Sequence, residues 1–127
     1  MSPKKVLVVA DDRNTLGSLE CWLVEAGGYD VVSAARFEDA KTYLASHTPD
    51  ILLVEDRLGA FNGLQLAMVV RRAHPEVRVI VFSDNEDAVL EREAERCGAR
   101  YVHRPESSAS LFRYLAEVPA DRSAPHP

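Results

Sequence analysis

Ile51-Leu52-Leu53-Val54-Glu55-Asp56 is an uninterrupted apolar run that ends in two adjacent acids. An apolar run without alternation is typical of a strand that helices cover on both faces, as in a parallel sheet. Since the carboxyl ends of parallel strands meet at one edge of the sheet, polar residues at these ends are expected to share one crevice. Three other predicted strands also end in a polar residue: 6–10 before Asp11, 77–82 before Ser83, and 101–103 before Arg104.

Stretches with helical spacing separate the predicted strands. Alternating strands and helices predict an α/β fold with a doubly wound parallel sheet. One domain over residues 1–118 is expected, followed by a flexible, proline-containing tail over residues 119–127. The strands are predicted over residues 5–10, 29–34, 50–55, 77–82 and 100–103. Five apolar stripes with helical spacing begin at Leu16, Phe37, Leu64, Leu90 and Leu111.

The composition restricts the class of protein. The chain has 127 residues, 46% of them hydrophobic, which is enough for one core. Its net charge of −5 provides no broad basic surface for nucleic acid or anionic lipid. The amino terminus lacks the apolar run of a signal peptide, and no stretch approaches the ~20 apolar residues of a membrane span. Cys21 and Cys97 lie far apart at predicted helical positions, which favours reduced core thiols in a cytoplasmic protein.

Several short motifs occur in an order and spacing that resembles the receiver domain of two-component response regulators. The resemblance implies a (βα)5 fold of three α/β/α layers with the flavodoxin-like strand order 2-1-3-4-5. It also implies an acidic pair that holds Mg²⁺ while a phosphoryl group is transferred to an aspartate at the end of the third strand. The resemblance spans residues 4–118 and is carried by the segments 8–12, 49–54, 62–63 and 97–105, together with Ser83.

Two residues depart from the family pattern. Counting from Pro49 and from Gly63 places Glu55, rather than an aspartate, at the phosphoacceptor position. Arg104 stands at the position of the family's lysine. Asp56 is the alternative acceptor, but it would require a one-residue slip such as a bulge. Because neighbouring strand residues point to opposite faces, Glu55 and Asp56 are not expected to enter the crevice together without distortion.

The acids at this edge repel one another, and a cation is expected to offset the repulsion. Two carboxylates about 4 Å apart repel by roughly 4 kcal/mol at an effective dielectric constant near 20. The resemblance implies an Mg²⁺ site made of Asp11, Asp12 and Glu55. The alternative is that Asp12 or Asn14 caps the first helix. We also expect Arg104 to grip Glu55 or the aspartate pair through paired hydrogen bonds and so to replace part of the metal's role.

Two further residues at this edge allow a structural and a functional interpretation. Ser83 would hydrogen-bond Glu55, as the family's hydroxyl residue does with the phosphoryl group, or it would cap the fourth helix, as Asp84 also could. Tyr101 matches an aromatic residue that the family uses as an inward–outward switch. A tyrosine in a strand is, however, more often a packing residue.

The leading interpretation is an atypical, stand-alone receiver in phosphorelay signalling that acts by binding a partner protein and is not an enzyme. Glu55 is one methylene longer than aspartate, so its carboxylate would place a permanent negative charge where the phosphoryl group otherwise lies. The partner would be a histidine kinase, a phosphotransfer protein or a downstream signalling protein, bound through residues 85–118. The chain itself would be a monomer or a weak homodimer.

Two other functions fit the same pattern. A receiver that is phosphorylated on Asp56 or Glu55 is the first, and a flavodoxin-like cofactor binder is the second. Against a cofactor binder, the loop after the first strand begins with Asp11-Asp12-Arg13, where a phosphate cradle would offer glycines and backbone N–H groups. The glycine-rich nucleotide-binding motifs do not occur in the chain.

Overall fold

The structure is a computed structural model that describes residues 4–58, 61–83 and 87–103. Within these ranges, strands and helices alternate as the sequence predicts, and an additional short hairpin lies between the third strand and the third helix. The elements are β1 (Lys5–Val9), α1 (Arg13–Gly27), β2 (Asp30–Ala34), α2 (Phe37–Ser46), β3 (Ile51–Glu55), β4 (Arg57–Leu58), β5 (Phe61–Asn62), α3 (Gly63–Ala73), β6 (Arg78–Ser83), α4 (Ala88–Arg96) and β7 (Arg100–His103).

The main sheet has five parallel strands in the order β2-β1-β3-β6-β7. This confirms the predicted doubly wound topology and its 2-1-3-4-5 order. β3 is the central strand and pairs with β1 on one side and with β6 on the other. The ends of these three strands, at Val9, Glu55 and Ser83, therefore lie side by side at the carboxyl edge of the sheet.

Two separate cores cover the two faces of the sheet. One packs Leu52 and Val54 of β3 against α2, α3 and α4, and we call it the α2–α4 side. The other packs Ile51 and Leu53 against α1, and we call it the α1 side. Because side chains alternate along a strand, Glu55 follows the parity of the α1 side, and the next residue, Asp56, follows that of the α2–α4 side.

Helix ends are set by capping groups that the sequence partly reveals. α1 is followed by its C-cap Gly28, whose φ of 63° is the left-handed conformation that glycine adopts without strain. α3 begins with a capping box: the Asn62 side chain accepts from the helix backbone while the Gln65 side chain accepts from Asn62 N–H. This box fixes the start of α3 directly beside the end of β3.

Some expectations are corrected, and others lie outside the described residues. Cys21 is exposed and Cys97 is half-buried, so the prediction that both are core thiols is wrong for Cys21. The fifth helix, the tail over residues 119–127 and Arg104 belong to residues 104–127, which are not described. In the part of the chain that is described, no helix combines the length and the apolar character that crossing a bilayer requires.

Candidate functional site

Glu55 links the end of β3 to the loop that follows β1. Its side-chain Oε1 accepts a hydrogen bond from the backbone N–H of Asp11 at 3.2 Å. The residue is the last of β3 and is half-buried, so its carboxylate lies at the carboxyl edge of the sheet and reaches across to the neighbouring strand. A backbone N–H stabilises the ionised form of a carboxylate that it binds. The arrangement thus holds a negative charge at the strand ends.

Asp56 faces the opposite neighbour. The Ser83 hydroxyl donates to Asp56 Oδ2 at 3.0 Å, and the Asp56 backbone N–H donates to the carbonyl of Phe82 at 2.9 Å. The Asp56 carbonyl accepts from the backbone N–H of Gly63 at 2.8 Å. Asp56 is therefore tied to the end of β6 through its side chain and to the start of α3 through its backbone.

The two adjacent acids bind different neighbours at this edge of the sheet. Glu55 reaches towards β1 and Asp56 towards β6, so each has its own polar contact. Ser83 follows the parity of Val79 and Val81 on the α2–α4 side, which Asp56 shares. This explains why the Ser83 hydroxyl bonds Asp56, a pairing that the sequence did not suggest.

The cap of α4 also differs from the expected residues. Asp87 caps this helix, and its Oδ1 accepts from the backbone N–H groups of Val89 and Leu90 at 3.0 and 3.1 Å. Sequence reasoning considered Ser83 and Asp84 and missed Asp87. The helix begins four residues later than a cap at Ser83 would require, which leaves the Ser83 hydroxyl available to Asp56.

Asp12 is the N-cap of α1. Its Oδ1 accepts from the backbone N–H of Asn14 at 3.2 Å, and its Oδ2 accepts from the Thr15 hydroxyl at 3.0 Å. Thr15 is buried, so the second bond satisfies a hydroxyl that water does not reach easily. Of the two roles that the sequence left open for Asp12, the structure shows the capping role.

The predicted magnesium ligands do not form a cluster in this arrangement. Both oxygens of Asp12 are used in capping, and Glu55 is bound to the Asp11 N–H. Across residues 4–58, 61–83 and 87–103, no group of three or more His, Cys, Asp or Glu side chains is arranged to hold a metal ion. The donor set as placed therefore does not fit a three-carboxylate Mg²⁺ site.

The two aspartates after β1 should respond differently to substitution. Replacing Asp12 with alanine is expected to reduce the free energy of unfolding by about 1 kcal/mol, because a helix cap is lost. Asp11→Ala is the matched control and should change stability by less than about 0.5 kcal/mol, since Asp11 acts through its backbone N–H. Urea unfolding of both variants, with and without Mg²⁺, makes the comparison. Equal losses that appear only with Mg²⁺ present would show that the pair binds metal instead.

The other two predicted site residues are Tyr101 and Arg104. Tyr101 is half-buried in β7 and packs against the core of the α2–α4 side, which agrees with a packing role and leaves its switching role a prediction. Arg104 lies outside the described residues, so its contact with Glu55 also stays a prediction.

Gly63 is a site residue that the sequence marked only as a point for counting. A Cβ atom at position 63 would overlap the carbonyl oxygen of Glu55, and it would lie 3.1 Å from a methyl group of Val54. Only a glycine allows the start of α3 to approach the end of β3 so closely. The signal available from the sequence was a lone glycine after Asn62, at the start of an apolar stripe with helical spacing, which by itself indicates no more than a helix start.

The fold and the acidic strand ends define an α/β protein with a polar site at the carboxyl edge of a parallel sheet. The family profile described as "Response regulator receiver domain" matches residues 6–116. The chain therefore belongs to the response regulator receiver domain family, whose members serve two-component signalling. Receiver domains typically bind Mg²⁺ for phosphorylation.

The similar curated proteins are regulators that are longer than this chain. The DNA-binding transcriptional regulator NtrC of Salmonella typhimurium is 33% identical over 104 residues, which are 79% of this chain and 21% of that protein. The Regulator of RpoS of Escherichia coli is 29% identical over 99 residues, 78% of this chain and 29% of that protein. This chain thus spans less than a third of the length of either relative.

Solved structures show the same fold. A CheY-like receiver domain protein from Methanospirillum hungatei superposes with a TM-score of 0.84 at 23% identity, over 91% of this chain and 93% of that chain. A response regulator protein from Burkholderia pseudomallei, solved with a phosphorylated aspartic acid, calcium ion and citrate, has a TM-score of 0.80 at 26% identity. That match covers 94% of this chain and 69% of the other.

Proposed function

We propose that this receiver domain signals by binding a partner protein without being phosphorylated, with Glu55 as a permanent negative charge at the acceptor position. The observation that carries the proposal is the hydrogen bond between Glu55 Oε1 and the Asp11 N–H, at 3.2 Å. It holds the carboxylate at the edge where the strands end, next to the acidic loop after β1. A charge fixed at this position needs no kinase to create it.

Geometry also argues against efficient phosphoryl transfer to Glu55. The protein contributes mainly positioning and electrostatic stabilisation to phosphoryl transfer, and a misplacement of about 1 Å costs on the order of 100-fold in rate. The extra methylene of Glu55 moves the nucleophilic oxygens beyond the place of an aspartate carboxylate. Asp12, which would be one of the metal ligands, accepts a hydrogen bond at the start of α1 with each of its carboxylate oxygens.

This role requires a protein partner. The partner would be a histidine kinase, a phosphotransfer protein or a downstream signalling protein. Receiver domains interact with the first two classes, and in general they are signalling modules and not enzymes. We place the partner surface on residues 85–118, of which α4 and β7 belong to the described part. A cytoplasmic location is proposed with it.

A receiver phosphorylated on Asp56 is the second candidate. The Ser83 hydroxyl bonds Asp56 Oδ2 at 3.0 Å, so the hydroxyl of this site contacts Asp56. A phosphoryl group on Asp56 would lie close to that hydroxyl. The similar Burkholderia pseudomallei protein, solved with a phosphorylated aspartic acid, makes modification of an aspartate worth testing directly.

Intact-mass spectrometry after incubation with Mg²⁺ and acetyl phosphate separates the two candidates. We expect the protein to keep its unmodified mass. A gain of one phosphoryl group that disappears in the Asp56→Asn variant would establish the second candidate, and a gain that disappears in Glu55→Gln would show that the glutamate itself accepts the group. The Burkholderia pseudomallei response regulator protein, which was solved with a phosphorylated aspartic acid, serves as the comparison sample in the same reaction.

A further inference from the structure

An apolar groove lies between α2 and α3, away from the carboxyl edge of the sheet. Its volume is about 170 Å³. An apolar cavity of about 150 Å³ is large enough to hold a benzene molecule, so the groove has room for one aliphatic or aromatic side chain. The residues that line it are Lys41, Leu44 and Ala45 of α2, Val69, Val70 and Ala73 of α3, and His74 after α3.

The charged residue that lines the groove is a cation, Lys41. Lys41 and His74 are its titratable lining residues, and both are bases. Among the described residues that line the groove, none is acidic, although the whole chain carries a net charge of −5. The occupant that such a site favours is an apolar side chain accompanied by a carboxylate.

Exposed apolar residues concentrate on the same side of the molecule. Four large hydrophobic residues of the described part are exposed: Val24, Met68, Val69 and Val89. Met68 and Val69 belong to α3 and Val89 to α4, and both helices pack on the α2–α4 side of the sheet. Val24 belongs to α1 on the opposite side. Single exposed apolar residues are ordinary, and these three are notable only because they lie on adjoining helices next to the groove.

α4 offers the apolar and acidic groups that the groove lacks. Val89 is 65% exposed, the highest value among these four residues. Glu93 lies four positions later, so the two side chains share one flank of the helix. The exposed surface of α4 is rich in acids: Glu91, Glu93 and Glu95, beside Arg92 and Arg96.

We propose that this surface joins two copies of the chain in a two-fold dimer, in which Val89 of each copy enters the α2–α3 groove of the other. The groove lies on one flank of α3, and α4 lies on the other flank, where Arg71 Nε donates to the carbonyl of Cys97 at 3.2 Å. A two-fold axis parallel to the sheet, lying over the outer surface of α3, places the two copies face to face, exchanges these two flanks and closes the assembly.

The side chains along α3 agree with this symmetry. Met68 is half-exposed and, by helical spacing, lies on the outer surface of α3 between the flank with Val69 and the flank with Arg71. In the dimer, the Met68 side chains of the two copies contact each other near the axis. Glu93 of one chain approaches Lys41 of the other, which pairs opposite charges across the interface. The dimer does not depend on whether the strand-end acids are phosphorylated.

Sedimentation equilibrium over a range of concentrations tests the dimer. The apparent mass of the wild type should rise from 14.1 kDa towards twice that value as the concentration increases. Val69→Glu and Val89→Glu should each weaken association by about tenfold or more, because each buries a carboxylate in an apolar contact. Val24→Glu is the matched control, an equally exposed valine on the other side of the sheet, and should associate like the wild type.

A charge exchange tests the pairing itself. Lys41→Glu and Glu93→Lys should each weaken association by about two- to five-fold, and the double variant Lys41→Glu/Glu93→Lys should regain most of the loss. Circular dichroism confirms that each variant is folded. A wild type that stays monomeric at every concentration overturns the proposal. Sensitivity to Val89→Glu without sensitivity to Val69→Glu overturns it too, since α4 would then bind outside the groove.

Discussion

Replacing Gly63 with alanine is expected to lower the midpoint of thermal unfolding by about 10 °C or more, which corresponds to roughly 3 kcal/mol of strain. The new Cβ atom would overlap the carbonyl oxygen of Glu55 and lie 2.9 Å from its carbonyl carbon. These atoms belong to the backbone of β3, which the ladder to β6 holds in place through the pairing of Glu55 with Phe82. Relief therefore requires the start of α3 to move away.

Such a movement would also disturb the strand-end site. The Gly63 N–H donates to the Asp56 carbonyl, and Asn62 caps the helix one residue earlier. Gly17→Ala is the matched control: nothing lies within 4 Å of its new Cβ atom, and it sits inside α1. This control should raise stability by about 0.5–1 kcal/mol, because alanine favours helix over glycine. Circular dichroism melts decide the comparison, and equal midpoints for Gly63→Ala and wild type would contradict the close approach of α3 to β3.

The main sheet could be predicted from the sequence because its strands are long enough to show a pattern. The apolar run 51–54 is buried on both faces, and its place in the centre of the sheet follows from that. The β4–β5 hairpin could not be predicted, since strands of two residues carry no periodic signal. The close approach of Gly63 to β3 was missed for a related reason, because nothing in a single glycine specifies which backbone it meets.

The site could be predicted only in part. Parity predicts that Glu55 and Asp56 point to opposite faces of the strand, and the two side chains bind different partners, the loop after β1 and the end of β6. The partner of each depends on the pairing of β3 with its two neighbours, which is a tertiary property. Ser83 meets Asp56 because β6 continues one residue past the partner of Glu55, and the apolar runs give no register for that pairing.

Asp12 illustrates a choice that local sequence could not make. An aspartate directly before a helix fits a cap, and an aspartate beside another acid fits a metal ligand. In the structure, the buried Thr15 hydroxyl favours the capping role, because it needs an acceptor and Asp12 Oδ2 provides it.

Replacing Glu55 and Arg104, the two residues that depart from the family pattern, with aspartate and lysine should convert the protein into a receiver that can be phosphorylated. We expect Glu55→Asp/Arg104→Lys to gain one phosphoryl group in the presence of Mg²⁺ and acetyl phosphate, in the assay where the wild type gains none. The aspartate side chain is one methylene shorter than that of Glu55, so its carboxylate lies closer to the backbone of β3. This leaves space for a phosphoryl group beyond it. The substitution also removes the bond from Glu55 Oε1 to the Asp11 N–H, so the loop after β1 becomes free to adapt to a metal.

The controls separate the acceptor from its neighbour. Adding Asp56→Asn to the double variant should leave phosphorylation intact, whereas Glu55→Asn/Arg104→Lys should abolish it, because only position 55 then lacks a carboxylate. Ser83→Ala in the double variant should slow the reaction by about tenfold or more, as expected for the loss of a group that positions the phosphoryl oxygens. If the double variant folds but stays unmodified, the obstacle is not the identity of residues 55 and 104. The capping of α1 by Asp12 would then be the next cause to test, because both of its carboxylate oxygens accept hydrogen bonds at the start of this helix.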